Sequence, residues 1–214
     1  MTADTSALTA PDAHAREASS ASHASGGTGT PVLGMLLFIT SEVMFFAGLF
    51  AAYFSIRAST VPWPPINAST GEQFELHALP IVLPATIILV MSSFTAWMGE
   101  RAITRDDRSG FIRNFAVTLA LGITFLGLQA YDYLELMHEG ITLSSGTFGT
   151  TFYTLTGFHG AHVLGGVLML GVVVYRGMAG QFSAKHHDMV LAASYYWHFV
   201  DIVWILLFLI LYVL

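Results

Sequence analysis

The chain has 214 residues, of which 10% are charged and 54% hydrophobic, with a mean hydropathy of +0.64. A soluble domain carries about 25% charged residues, so this composition excludes a soluble enzyme and identifies an integral membrane protein. The formal net charge of −6 is not a functional clue, because the acids lie mostly in loops and the tail, and the absence of cysteine excludes thiolate-bound copper, iron–sulfur clusters and disulfides.

Residues 1–30 are Ala, Ser, Thr and Gly with scattered charges such as Arg16 and Glu17. They lack the apolar core of a signal peptide and read as a disordered tail. From residue 31 to 214 no polar linker divides the chain, so one membrane domain is expected. Five apolar runs follow, over residues 31–56, 78–99, 115–134, 147–175 and 189–214. Each is long enough to cross a hydrocarbon layer of about 30 Å. Lipid offers the backbone no hydrogen-bond partner, so each run must be helical. The predicted fold is therefore all-α, an integral membrane bundle of five transmembrane helices.

Lys and Arg set the expected orientation. With the N-terminus inside, Arg16, Arg101, Arg105, Arg108, Arg113, Arg176 and Lys185 are cytoplasmic, and Arg57 alone is outside. The positive-inside rule then places the C-terminus outside. The basic loop around residues 101–113 is a topology determinant with an attraction for anionic head groups. On the opposite side, Val61-Pro62-Trp63-Pro64-Pro65 is stiffened by its prolines, and the third run closes on Gln129-Ala130-Tyr131-Asp132-Tyr133-Leu134-Glu135, an acidic and aromatic interface.

Several polar groups lie where lipid should exclude them. Glu42 stands 11 residues past Pro31, roughly 16 Å along a helix and near mid-membrane. A carboxyl at that depth must be protonated or hydrogen-bonded to a neighbouring helix, as a structural contact or as a functional group. In the fourth run, Gly157, Ala161 and Gly165 make a small-residue stripe at four-residue spacing, which would let another helix approach. His159 and His162, at i and i+3, lie to one side of the same helix. In the fifth run Ser194, His198 and Asp201 form one stripe at i, i+4 and i+7 that should face protein. The depths of Glu42, His159, His162, His198 and Asp201 suit one buried polar cluster. His159 or His162 opposite His198 could supply one bis-histidine haem pair, but two histidines at i and i+3 are not a haem-ligand arrangement, only one further mid-membrane histidine exists for both, and no third partner is evident for zinc or copper. No metal or haem is therefore expected in this chain. His77, His138, His186 and His187 lie in loops or at helix ends.

These motifs together resemble subunit III of the haem–copper cytochrome c oxidases. The resemblance runs from about residue 34 to 214. It rests on Ser41-Glu42-Val43-Met44-Phe45-Phe46, Trp63-Pro64-Pro65, Gln129 to Glu135, Gly157-Phe158-His159-Gly160-Ala161-His162, the pair His186-His187, and Tyr196-Trp197-His198-Phe199-Val200-Asp201 followed by Val203-Trp204. It implies a bacterial, multi-pass plasma-membrane subunit without haem or copper of its own. Such a chain sits with catalytic subunit I, which holds the haems and copper, and subunit II, in an oxidase that reduces oxygen to water and pumps protons. Proton uptake, oxygen access and bound phospholipid are the family associations, with membrane lipids as partners and no nucleic acid. Glu42 matches the family's membrane glutamate, and His159, His162, His198 and Asp201 match its other polar membrane positions. Compared with the seven-helix members, the first two helices are absent, Leu191 stands in place of a glutamate, and Trp97-Met98-Gly99-Glu100 replaces a His-containing helix end. The rival readings are a quinol-oxidase subunit of the same fold, an accessory protein of nitric oxide reductase and, from another class, a haem b membrane anchor. Glu rather than Asp at position 42 favours cytochrome c as the donor.

Overall fold

A computed structural model describes residues 29–63 and 79–213, and the N-terminal tail, Pro64, Pro65 and His77 lie outside that range. Five long helices form where the five apolar runs stand. These are α1 (Thr30–Ser59), α2 (Leu79–Thr104), α3 (Arg108–His138), α4 (Thr147–Met178) and α5 (Asp188–Phe208), the last continuing through a π-helical turn at Leu209–Val213. All five are long and apolar enough to cross a membrane. Most run past the apolar stretch that specifies them, because polar residues with helical propensity extend the ends. The 31 residues of α3 span about 46 Å, well beyond the hydrocarbon layer.

The α2–α3 connection is a tight turn. Asp106 adopts φ 56°, a left-handed conformation that Asp tolerates better than most side chains. Asp107 then caps α3, its Oδ1 accepting the Gly110 N–H at 2.9 Å. Each of the two helices buries positions that alternate three and four residues apart. On α2 these are Val82, Ala85, Leu89, Ser92, Ala96 and Ile103, and on α3 Phe111, Phe115, Thr118, Gly122, Phe125, Gln129, Asp132 and Leu136. That period is the seam of left-handed helix pairing. Small residues bring the pair close: a methyl at Gly99 would run into the Phe115 ring, and the Thr95 and Thr118 hydroxyls share a hydrogen bond of 2.8 Å.

Helix α5 is the centre of the bundle and touches α1, α2 and α4. Twelve of its residues are buried, and Trp197 fills the space that two glycines leave open. A methyl at Gly122 would lie 2.6 Å from the Trp197 ring, and one at Gly166 would lie 2.8 Å from it. Helix α1 is peripheral, packing on α5 and α4 and burying Val32, Phe46 and Tyr53. Near the end of α1, Trp63 meets the rings of Tyr53 and Phe148 edge-on.

The small-residue stripe of α4 looks outward from the bundle. Gly157 is half-buried and Ala161 and Gly165 are exposed. The nearest atoms to a methyl at Gly157 or Gly165 are the hydroxyls of Tyr133 at 3.9 Å and Tyr196 at 3.4 Å, so among the described residues no other helix packs its backbone against these two glycines. Helix α4 instead buries Phe152, Thr156, His159, Val163, Gly166, Leu170 and Val173, a three-and-four alternation about a different face. Its close approach to α5 falls at Gly166, against the Trp197 and Tyr196 rings, and its close approach to α3 at Gly177, against the Phe111 ring.

Candidate functional site

Glu42 sits 12 residues into α1, about 18 Å from the helix start. It meets His162 of α4, the carboxyl Oε2 lying 2.9 Å from the imidazole Nε2. The two side chains keep 18% and 15% of their surface exposed, so the pair lies on the flank of the bundle rather than in its core. Phe46 meets the imidazole edge-on at 4.9 Å and Phe45 stacks on it at 6.1 Å. The other ring nitrogen, Nδ1, lies 2.7 Å from the Phe158 carbonyl one turn back. A carbonyl only accepts, so Nδ1 carries a hydrogen and Nε2 faces Glu42. One further proton then serves both partners: on Oε2 it gives a neutral acid donating to a neutral imidazole, on Nε2 an ion pair. The arrangement can hold a proton and pass it between two heavy atoms without breaking the contact.

His159 is placed differently, although it stands only three residues away. It is fully buried, stacked on Trp204 at 4.9 Å with Phe125 edge-on at 6.1 Å, and neither ring nitrogen has a hydrogen-bond partner. It belongs to the aromatic core between α3, α4 and α5.

The stripe on α5 faces α2. Ser194 donates to Glu100 Oε2 at 2.9 Å, and Trp197 Nε1 donates to Ser92 Oγ at 2.9 Å. Trp204 Nε1 donates to Thr86 Oγ1 at 2.9 Å. The two helices run antiparallel, so α5 residues of rising number meet α2 residues of falling number. Asp201 is buried against Ser93, yet its Oδ1 and the Ser93 Oγ both lack a partner. His198, half-buried, stands beside Glu100 and Asp201. The five polar membrane residues therefore divide into Glu42 with His162, His198 with Asp201, and His159 between aromatic rings.

Sequence reasoning missed Glu100, Ser92 and Thr86 as partners of α5, and Gln129 and Asp132 as buried members of the α3 seam. The signal was present: Phe111, Phe115, Thr118, Gly122, Phe125, Gln129, Asp132 and Leu136 keep one alternating spacing. Gln129 Nε2 donates to the Thr156 carbonyl at 3.1 Å, and Tyr133 donates to the Thr156 hydroxyl at 2.7 Å, which ties this polar end of α3 to α4. Among the described residues no group of three or more His, Asp or Glu is arranged to hold a metal ion.

The family model described as Cytochrome c oxidase subunit III matches residues 9–214. A protein of Nocardia farcinica named "Probable cytochrome c oxidase subunit 3" is 43% identical over 181 residues, covering 84% of this chain and 86% of that one. The cytochrome c oxidase subunit 3 of Thermostichus vulcanus is 43% identical over 184 residues, covering 86% of this chain and 87% of its own. A Mycobacterium tuberculosis protein named "Probable cytochrome c oxidase subunit 3" is 42% identical over 181 residues, covering 84% and 86%. With a family model spanning nearly the whole chain and relatives this similar over most of theirs, the chain belongs to the cytochrome c oxidase subunit III family.

Proposed function

We propose that this chain is the subunit III of a bacterial cytochrome c oxidase, a proton-translocating complex that reduces oxygen to water, and that it carries no redox centre. It spans the plasma membrane with its basic loops in the cytoplasm, beside subunit I with the haems and copper and subunit II. Its task is to stabilise subunit I and sustain proton uptake, with lipid as the surrounding partner. The family match over residues 9–214 supports the assignment to the oxidase.

The observation that carries the proton role is the 2.9 Å contact between Glu42 and His162 on the flank of the bundle. A core contact would be fully enclosed, as His159 is. A pair that keeps some of its surface open can exchange its proton with a neighbouring chain or its waters. The test compares Glu42→Gln with the parent in the assembled oxidase. Glutamine keeps the shape and a donor but cannot release a proton, so assembly should persist while proton pumping or durability during turnover falls. A mutant that assembles, pumps and survives turnover like the parent would leave Glu42 a structural contact only.

A further inference from the structure

The polar end of α3 borders a cavity of about 10 Å³, room for one guest the size of a water molecule. It lies at the end of the bundle away from the α2–α3 turn, between α2, α3, α4 and the closing turn of α5. Gln129, Asp132, Tyr133, Thr156 and Tyr212 supply its oxygens, and side chains such as Val82, Phe125 and Leu128 close the rest. Gln129 and Asp132 keep only 8% and 4% of their surface exposed.

The hydrogens around this cavity are directed elsewhere. Gln129 Nε2 donates to the Thr156 carbonyl at 3.1 Å and Tyr133 to the Thr156 hydroxyl at 2.7 Å, while that hydroxyl donates to the Phe152 carbonyl at 2.7 Å. Tyr153, close enough to Asp132 to feel its charge, donates to the Ile141 carbonyl at 2.7 Å, and Trp204 Nε1 donates to Thr86. Gln129 Oε1 is buried and, among the described residues, has no hydrogen-bond partner. Its amide cannot flip to relieve this, because Nε2 is held by a carbonyl that only accepts. Among these side chains only the Tyr212 hydroxyl keeps a hydrogen to give. One hydrogen cannot serve two carboxylate oxygens and an amide oxygen together.

Charge points the same way. The groups that act on Asp132 across space are Glu135 and Glu139, both exposed and both acidic, so the field at the cavity is negative. A guest must therefore be electropositive, small and content with oxygen. A single carboxylate faces the cavity, which is too little charge for Ca²⁺ or Mg²⁺. We propose that this cavity holds one monovalent alkali cation, Na⁺ or K⁺, with the Asp132 carboxylate as its charge partner and Gln129 Oε1 and the Tyr133 and Tyr212 hydroxyl oxygens as neutral ligands. The cation ties α3 to the closing turn of α5 where the carboxylate and the amide oxygen would otherwise be unmet. Histidine takes no part, so this chemistry is distinct from the haem, zinc and copper that the sequence argues against. The site is independent of the oxidase assignment and of any role for Glu42.

The experiment measures the unfolding temperature of the full chain in detergent, replacing N-methylglucamine chloride by NaCl or KCl at constant ionic strength. N-methylglucamine is too large for the cavity, so it sets the baseline. Above half-saturation, each tenfold rise in Na⁺ or K⁺ should raise the unfolding temperature by about 4 °C. Asp132→Asn should abolish this response, and Gln129→Leu should require about fivefold more cation for the same shift. Glu135→Gln, exposed and outside the cavity, should retain it. Sodium-23 line broadening by the parent, relieved by K⁺, reads the same site without unfolding and does not depend on a variant that folds. Equal unfolding temperatures in all three salts, or no such broadening, would overturn the proposal and leave the cavity to water. A salt response that survives in Asp132→Asn would reduce it to surface screening. Destabilisation by Tyr212→Phe with no salt response in the parent would assign Asp132 to a hydrogen bond from Tyr212 instead of a cation.

Discussion

Two histidines one turn apart show how far a residue's meaning depends on its direction from the helix axis. His162 turns to α1 and meets a carboxyl, whereas His159 turns inward and meets two aromatic rings. The pairing of Glu42 with His162 predicts strong coupling. Removing either partner leaves the other polar group in an apolar setting, so the double variant should be less damaged than the sum of the singles. A thermal-unfolding cycle in detergent over Glu42→Ala, His162→Ala and both should give a coupling of about 1–3 kcal/mol. Purely additive effects would mean that the contact is not formed in solution. The depth of Glu42 was legible in the sequence because residue count converts directly into ångströms. The separation of His159 from His162 was not, because spacing gives an angle between two side chains but not what lies opposite each.

Between elements, side-chain hydrogen bonds and small residues do what the hydrophobic effect cannot do in lipid. Helices α2 and α5 are held by Ser194 to Glu100, Trp197 to Ser92 and Trp204 to Thr86. Trp204→Phe keeps the ring contacts of the core and deletes one such bond, so it should cost about 1 kcal/mol in detergent. The Trp197 ring between Gly122 and Gly166 gives a sharper contrast. Gly122→Ala and Gly166→Ala each drive a methyl into a buried indole, and each should destabilise by about 1–3 kcal/mol. Gly127→Ala and Gly171→Ala meet open space and should leave the unfolding temperature unchanged or raise it. Equal effects at all four positions would show that the indole does not occupy this slot. Element identity was legible because apolar runs of this length have one backbone solution in a bilayer. Helix pairing was less so: within this chain the seams run through bulky residues interleaved with single glycines, such as Gly122 and Gly166 against Trp197.

For the whole molecule, the expected orientation follows from the distribution of Lys and Arg. The cysteine-free chain allows a direct topology test with single cysteines at Ser109 and Ser144, both exposed. They should label from opposite sides of the membrane, Ser109 from the cytoplasm, and same-side labelling would contradict the alternation of the five spans. The bundle itself was legible from composition and from five runs, and the oxidase family from several motifs in order. What the sequence could not display was the division of its polar residues into separate pairs, since that depends on which helices touch. The account's central claim is that this chain works as part of a cytochrome c oxidase. Affinity purification of the tagged full chain from its own membranes, followed by oxygen uptake with reduced cytochrome c and with quinol, tests it most directly. The account predicts co-purified haem- and copper-bearing subunits and oxygen consumption supported by cytochrome c. Isolation of the chain alone with haem bound to it, or oxygen uptake driven by quinol and not by cytochrome c, would contradict it.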